Sequence, residues 1–192
     1  MRFLLRELPL LRYVVPPMKH TVVFLFGAVV SASLVSCTGQ TRVFRQPSSA
    51  MEPTVLTGEK FTADMSEKAR TRLGRGDIVI LKESGQLVLK RIVAIQGDTI
   101  EGRDLKVFLN RTLLSEPYVQ HTGKRPLGLA TLEKFGPVTV TAGKLFVAGD
   151  NRDYSLDSRD PSFGLVSVSQ VLGKPVSVID SPMAGRAGTA IR

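Results

Sequence analysis

Lys90 and Arg91 sit side by side in the most strongly β-patterned run of the chain, Gln86-Leu87-Val88-Leu89-Lys90-Arg91-Ile92-Val93-Ala94-Ile95. Side chains alternate across a strand, so Lys90 shares a face with Val88, Ile92 and Ala94, and Arg91 shares the other with Leu87, Leu89 and Val93. At least one of the two cations must therefore lie among apolar neighbours, which is expensive unless a site uses it. Desolvation disfavours the charged amine and lowers its pKa, so a buried lysine can serve as a neutral base near pH 7. The alternative is a lysine that snorkels from a strand end, stem on apolar surface and amine in water.

Two other stretches carry the residue types that such a base would work with. Pro47-Ser48-Ser49-Ala50-Met51-Glu52-Pro53-Thr54 has the shape of a nucleophile loop: two prolines pin the backbone and small hydroxyl residues cluster between them. Its central residue, Ala50, offers only a methyl group, which cannot attack a carbonyl. Ser49 is adjacent, but in an extended segment a neighbour points to the opposite side. Met51 is a hydrophobic candidate for anchoring the loop against a bilayer. Further on, Gly149-Asp150-Asn151-Arg152-Asp153-Tyr154-Ser155-Leu156-Asp157-Ser158-Arg159-Asp160 follows an apolar strand. So many charges there imply a buried polar network in which each carboxylate needs an arginine or a backbone donor. A calcium loop is the rival, but the spacing of Asp150, Asp153 and Asp157 is not that of an EF-hand, and the arginines dilute the charge.

Composition narrows the classes. The net charge of +9 invites a nucleic-acid partner, yet no aromatic-interleaved basic patch, helix-turn-helix pattern or finger spacing accompanies it. Part of the excess, Arg2, Arg6, Arg12 and Lys19, precedes the apolar segment, where positive charge belongs on the cytoplasmic side of a membrane. A single cysteine excludes an intramolecular disulfide framework and a multi-thiolate metal site, and two histidines leave little for a zinc centre. No phosphate-binding glycine loop is present, so no cofactor is expected.

The elements that must hold these residues are short. Residues 1–20 form a basic N-terminal region in which Pro16 and Pro17 stop any helix, and Met18 is a candidate true start. Residues 21–37 read as a signal anchor or as a lipoprotein signal peptide, the latter because Leu34-Val35-Ser36-Cys37 resembles a bacterial lipobox with Cys37 as its lipidation site. Either way residues 38–192 are expected outside the cytoplasm, tied to a membrane. Residues 38–180 read as a β domain: strands near 42–45, 61–63, 78–81, 86–95, 106–109, 138–141, 145–148, 166–168 and 171–179, with a loop or one helical turn at 65–72. The loop at 124–128 is expected to be mobile, His121 to be a surface residue, and the Gly- and Ala-rich tail at 181–192 to be disordered.

Read together, three stretches resemble the type I signal peptidase family. Its first box, Pro-Ser-x-Ser-Met-x-Pro-Thr-Leu, corresponds to Pro47 through Val55; its Lys-Arg strand ending in a Gly-Asp turn corresponds to Leu89-Lys90-Arg91-Ile92 through Gly97-Asp98, with Arg75-Gly76-Asp77-Ile78-Val79 as the strand before it. Its Gly-Asp-Asn-Arg-x-x-Ser-x-Asp-Ser-Arg box corresponds to Gly149 through Arg159, followed by Gly164 and Val166. The likeness spans most of residues 42–179 in the family's order.

The resemblance implies a mainly β, antiparallel domain with an apolar face that sits on the membrane around the active site. It also implies a Ser/Lys dyad in which a serine attacks the scissile bond of a signal peptide and a buried neutral lysine takes its proton. Carried over by position, Lys90 is the general base and Ser48 lends its hydroxyl to an oxyanion hole beside the amide of residue 50. Ser155 orients Lys90, Asp157 and Arg159 form a supporting salt bridge, and Arg91 and Met51 support the site. The nucleophile position holds Ala50. Ser49 could replace it only through a register shift between Pro47 and Pro53. Three functions remain open: a working membrane-bound signal peptidase, a cleavage-incompetent relative that binds signal peptides, extended chains or an active partner peptidase, and a scaffold that uses the fold for other contacts.

Overall fold

The computed structural model describes residues 40–123 and 134–192. The apolar segment at 21–37, Cys37 at its end and the basic loop at 124–128 lie outside those residues. Among the described residues no helix is long and apolar enough to cross a membrane.

The chain is mainly β, as expected. The strands are β1 (Thr41–Arg45), β2 (Lys60–Asp64), β3 (Ile78–Glu83), β4 (Gln86–Ile95), β5 (Thr99–Arg103), β6 (Lys106–Leu109), β7 (Thr112–Leu113), β8 (Phe135–Thr139), β9 (Lys144–Ala148), β10 (Val166–Ser167) and β11 (Val171–Asp180). One short helix, α1 (Glu67–Thr71), occupies the charged stretch, with Ser66 capping it by accepting from the Ala69 amide. A seven-stranded sheet runs β1-β2-β11-β3-β4-β9-β10, and a four-stranded sheet runs β7-β6-β5-β8. Every ladder between these strands is antiparallel.

The centre of the large sheet is apolar on both faces. Along β3, Ile78 and Ile80 enter one hydrophobic cluster while Val79 and Leu81 enter another, which is why this strand reads as an unbroken apolar run. A two-residue turn, Ser84-Gly85, joins β3 to β4 with Glu83 opposite Gln86. Both turn residues have positive φ, 47 for Ser84 and 81 for Gly85, the twist that a tight hairpin needs. That turn fixes the register, setting Lys90 opposite Val79 and Arg91 opposite Ile78. On its other side β4 pairs with β9, Arg91 opposite Ala148, and a bulge follows between Ile92 and Ala94. A third cluster, containing Val93, Ile100 and Phe146, joins the small sheet to this one.

Three expectations are corrected. Strand β8 starts at Phe135 and ends at Thr139, earlier than the Val138–Thr141 run, and β5 and β7 lack the β-branched runs that would have marked them. Met51 does not face outward: it is fully buried, in one cluster with Val55, Phe61 and Leu89. A thioether side chain at the end of a tight turn is satisfied by the core directly beneath it, so it cannot also serve as a bilayer anchor. Residues 181–192 are not disordered. Ala190 bridges Ser177, the Ile191 amide donates to the Val176 carbonyl over 2.9 Å, and Ile191 is buried in the same cluster as Met51. The average composition of the tail hides one apolar anchor, Ile191, and one ion-pairing residue, Arg186.

Candidate active site

Both cations of β4 are buried, Lys90 and Arg91 alike, one on each face of the strand. The Lys90 amine donates to the Ser155 hydroxyl over 2.7 Å. Burial pushes the Lys90 pKa down from its ordinary value of 10.5; the nearby Asp157 carboxylate opposes this and the Arg159 guanidinium adds to it.

Asp157 lies beyond Ser155 with no exposure to solvent. Its carboxylate accepts from the Gly149 amide (2.9 Å), the Arg159 amide (3.2 Å), and the Arg159 Nε (2.8 Å) and Nη2 (3.0 Å). Burial alone would raise its pKa, but the charge and hydrogen bonds of Arg159 outweigh that and hold it at about 2. Arg159 also donates to the Arg152 carbonyl over 2.9 Å, so the turn is braced at both ends. The Ser158 hydroxyl receives the Val147 amide (3.0 Å), tying the turn to β9.

The loop before β2 reaches the same place. Ser49–Met51 is one turn of 3-10 helix, not an extended segment, and Ser48 enters it with φ −138 and ψ 165. Successive side chains in such a turn diverge by roughly 120°, so Ser49 and Ala50 still face different ways. Ser48 is exposed, Ser49 half-buried and Ala50 buried. The Ala50 carbonyl accepts from the Asn151 amide over 3.1 Å. Gly149 explains how close the loop comes: a Cβ there would stand 2.4 Å from the Ala50 carbonyl oxygen and 2.4 Å from the Ser155 hydroxyl. The absent side chain is what lets residue 50 and the Lys90–Ser155 pair converge on one point of the backbone.

A second buried pair ties the loop to β4 from the other face. Arg91 holds Asp150 by two hydrogen bonds, Nε to Oδ1 at 2.9 Å and Nη2 to Oδ2 at 2.7 Å. It also donates to the Gly76 carbonyl (2.8 Å) and lies 3.9 Å over the Tyr118 ring. The Thr54 hydroxyl donates to Asp150 Oδ2. Beside the loop an apolar trough is lined by Phe44, Gln46, Pro47, Phe61, Leu87 and Leu89. Gln46 is buried, and its Nε2 donates to the Ser48 carbonyl over 2.7 Å.

The three aspartates that could have formed a calcium loop are otherwise engaged: Asp150 by Arg91, Asp157 by Arg159, and Asp153 by the Thr122 and Gly123 amides at 2.6 and 2.8 Å. His121 is a surface residue whose Nδ1 lies 3.8 Å from Asp153. Of the residues singled out in the sequence, Lys90, Ser155, Asp157, Arg159 and Ala50 are brought together. Arg91 serves the opposite face, Met51 the core, and Cys37 lies outside the described residues.

The sequence pattern of the family described as signal peptidase, peptidase S26, matches residues 18–179. The chain belongs to that signal peptidase family. Signal peptidase I of Bacillus amyloliquefaciens is 36% identical over 126 residues, covering 65% of this chain and 68% of that protein. Signal peptidase I S of Bacillus subtilis strain 168 is 37% identical over 127 residues, with the same 65% and 68% covered. A crystal structure of a signal peptidase I from Enterococcus faecalis V583 is 34% identical, covering 54% of this chain and 97% of that one at a TM-score of 0.44.

In this member of the signal peptidase family, sequence reasoning missed the residues that join the loop to the sheet. Gln46 and Tyr118 carry no pattern of their own, and Thr54 stands in the first box without any sign that its hydroxyl reaches Asp150. Asp150 was visible as a charge that needed a partner, but nothing in the sequence says that the partner is Arg91.

Proposed function

We propose that this protein is a signal peptidase I-like protein of the extracytoplasmic membrane face, tethered by its N-terminal segment, whose cleavage chemistry is impaired because Ala50 occupies the nucleophile position. Family membership supplies the reaction: removal of signal peptides from secreted preproteins by Ser/Lys endopeptidase chemistry. In it Lys90 is the general base, Ser155 orients its amine, Asp157 and Arg159 hold that turn, and Ser48 completes an oxyanion hole with the amide of residue 50.

One observation carries the reading. The amine of Lys90 is buried and held at 2.7 Å by Ser155, while the residue that meets them across Gly149 has no hydroxyl. A base kept in costly burial, with only an alanine at the position its serine should hold, is the machinery of the reaction without its attacking atom. Losing a nucleophile leaves about 10³–10⁴-fold acceleration over water, from binding and the oxyanion hole, too little for a peptide bond. The small apolar trough edged by Phe44, Pro47 and Leu87 is where an extended apolar peptide would run, and Val43 and Leu87 are exposed apolar residues suited to a membrane surface.

The second reading is a cleavage-incompetent relative that binds signal peptides or an active partner peptidase. It takes the same groove as its working part. A fluorescent signal peptide titrated into the purified full chain tests both. Saturable binding that leaves the peptide intact is the expected result, with Leu87→Asp at the exposed edge of the trough weakening it at least tenfold. Absence of binding would mean that the groove has degenerated and that the fold serves other contacts.

A further inference from the structure

We propose that residues 181–192 form a strap that positions the 48–54 loop, with Arg186 as its positioning residue; this deepens, and rests on, the peptidase-derived reading of that loop. The strap lies beyond residue 179, where the family match ends.

It is attached at four places. Glu59 is fully buried and gathers four donors: the Leu56 amide at 2.8 Å, the Ser181 hydroxyl at 2.7 Å, and the Arg186 Nε and Nη2, the latter at 3.1 Å. Burial would raise the Glu59 pKa, and these donors, Arg186 foremost, hold it below the ordinary value. The same Arg186 Nη2 donates to the Thr54 carbonyl over 2.9 Å. One guanidinium and one carboxylate thus close off both a carbonyl and an amide of the Thr54–Leu56 turn, three residues beyond Met51. Ile191 supplies the apolar contact, sharing a cluster with Met51 and Val55. The Arg192 carbonyl accepts from Arg91 Nη2 over 3.1 Å.

These contacts close a ring around the loop. Arg186 holds the Thr54 carbonyl, the Thr54 hydroxyl holds Asp150, Asp150 holds Arg91, and Arg91 reaches the strap again at residue 192. Arg91 is the chain neighbour of Lys90, so the ring fixes the height of the loop over the strand that bears the base. Misplacing a reacting group by about 1 Å can cost roughly 10²-fold in rate, so holding the loop here is a functional constraint as well as a stabilising one.

The test uses the full chain in detergent and two variants. Arg186→Ala leaves Glu59 buried and unpaired and risks unfolding; Glu59→Gln/Arg186→Met removes the pair without stranding a charge. Amide hydrogen exchange is measured by mass spectrometry. In the double variant we expect residues 50–58 to exchange at least about tenfold faster while β3 and β4 keep their rates. In an Ala50→Cys background, alkylation of the introduced thiol is followed against pH on its own peptide, which separates it from Cys37. Its midpoint should lie below that of a free thiol, about 8.5, and move toward it when the strap is loosened. Unchanged exchange at 50–58, or acceleration shared evenly with β3 and β4, overturns the strap. Faster exchange with an unmoved thiol midpoint overturns the positioning role. Failure of the underlying reading shows separately, as a midpoint indifferent to Lys90→Met with the strap intact; the exchange measurement still decides the strap.

Discussion

The Lys90 amine and the Ser155 hydroxyl are 2.7 Å apart inside the protein, and a side chain at Gly149 would collide with both that hydroxyl and the carbonyl oxygen of Ala50. The two residues lie on different elements, a central strand and a polar turn. Their contact is therefore set by the network behind Ser155 and not by local sequence.

Gly149→Ala should destabilise the fold by about 1–3 kcal/mol, the range for overpacking a filled site. The added methyl would stand 2.4 Å from the Ala50 carbonyl oxygen and from the Ser155 hydroxyl, and one of them must move. Thermal unfolding measures the cost. A neutral substitution would mean that the loop and the turn do not meet at this glycine.

Lys90→Met should change the pH dependence of stability in one direction. Burial lowers the pKa of Lys90 in the folded chain below its ordinary 10.5. Between the two values the unfolded chain binds a proton that the folded chain does not, so stability rises with pH through that window. The variant lacks this slope, and its advantage over the natural chain should shrink as pH climbs toward 10.5. Urea denaturation from pH 7 to 10 follows it. A difference independent of pH would mean that the amine is not desolvated.

Asp157 gives the opposite window. Its folded pKa is held at about 2, below the ordinary 3.8, so its contribution is complete above 3.8 and is lost as pH falls toward 2. Asp157→Asn should cost about 3–5 kcal/mol at pH 7, where it leaves Arg159 buried without its counter-charge. The penalty should narrow below pH 3.8. Denaturation curves at neutral and acid pH compare the two proteins, and an equal penalty at both would remove Asp157 from the acid transition.

Met51→Ala should cost about 2–5 kcal/mol, as for other large-to-small changes in a filled core. Met51 is fully buried, so binding to lipid vesicles should stay as it is in the natural chain. Weakened vesicle binding at unchanged stability would restore the bilayer-anchor role.

Much of the fold is legible because β3 and β4 are apolar on both faces and punctuated by turn residues. The pairing of Lys90 with Arg91 announces a problem that a fold must solve, since both cannot face water from the centre of a sheet. What the sequence cannot say is how each cation is satisfied. Ser155 and Asp150 lie 65 and 59 residues away from Lys90 and Arg91, respectively, and hydrogen-bond partners at such separations leave no periodicity. The tail misleads for a related reason: its glycines and alanines dominate the composition, while Arg186 and Ile191 do the binding. Met51 misleads because one exposed-looking apolar residue in a loop reads the same whether bilayer or core receives it.

Cleavage of a signal-bearing preprotein by the purified chain, freed of host peptidase, tests the central claim most directly. The natural chain should leave the preprotein intact, Ala50→Ser should gain at least weak cleavage, and adding Lys90→Met should abolish that gain. Robust cleavage by the natural chain that persists in Ala50→Ser and disappears in Ser49→Ala would contradict it.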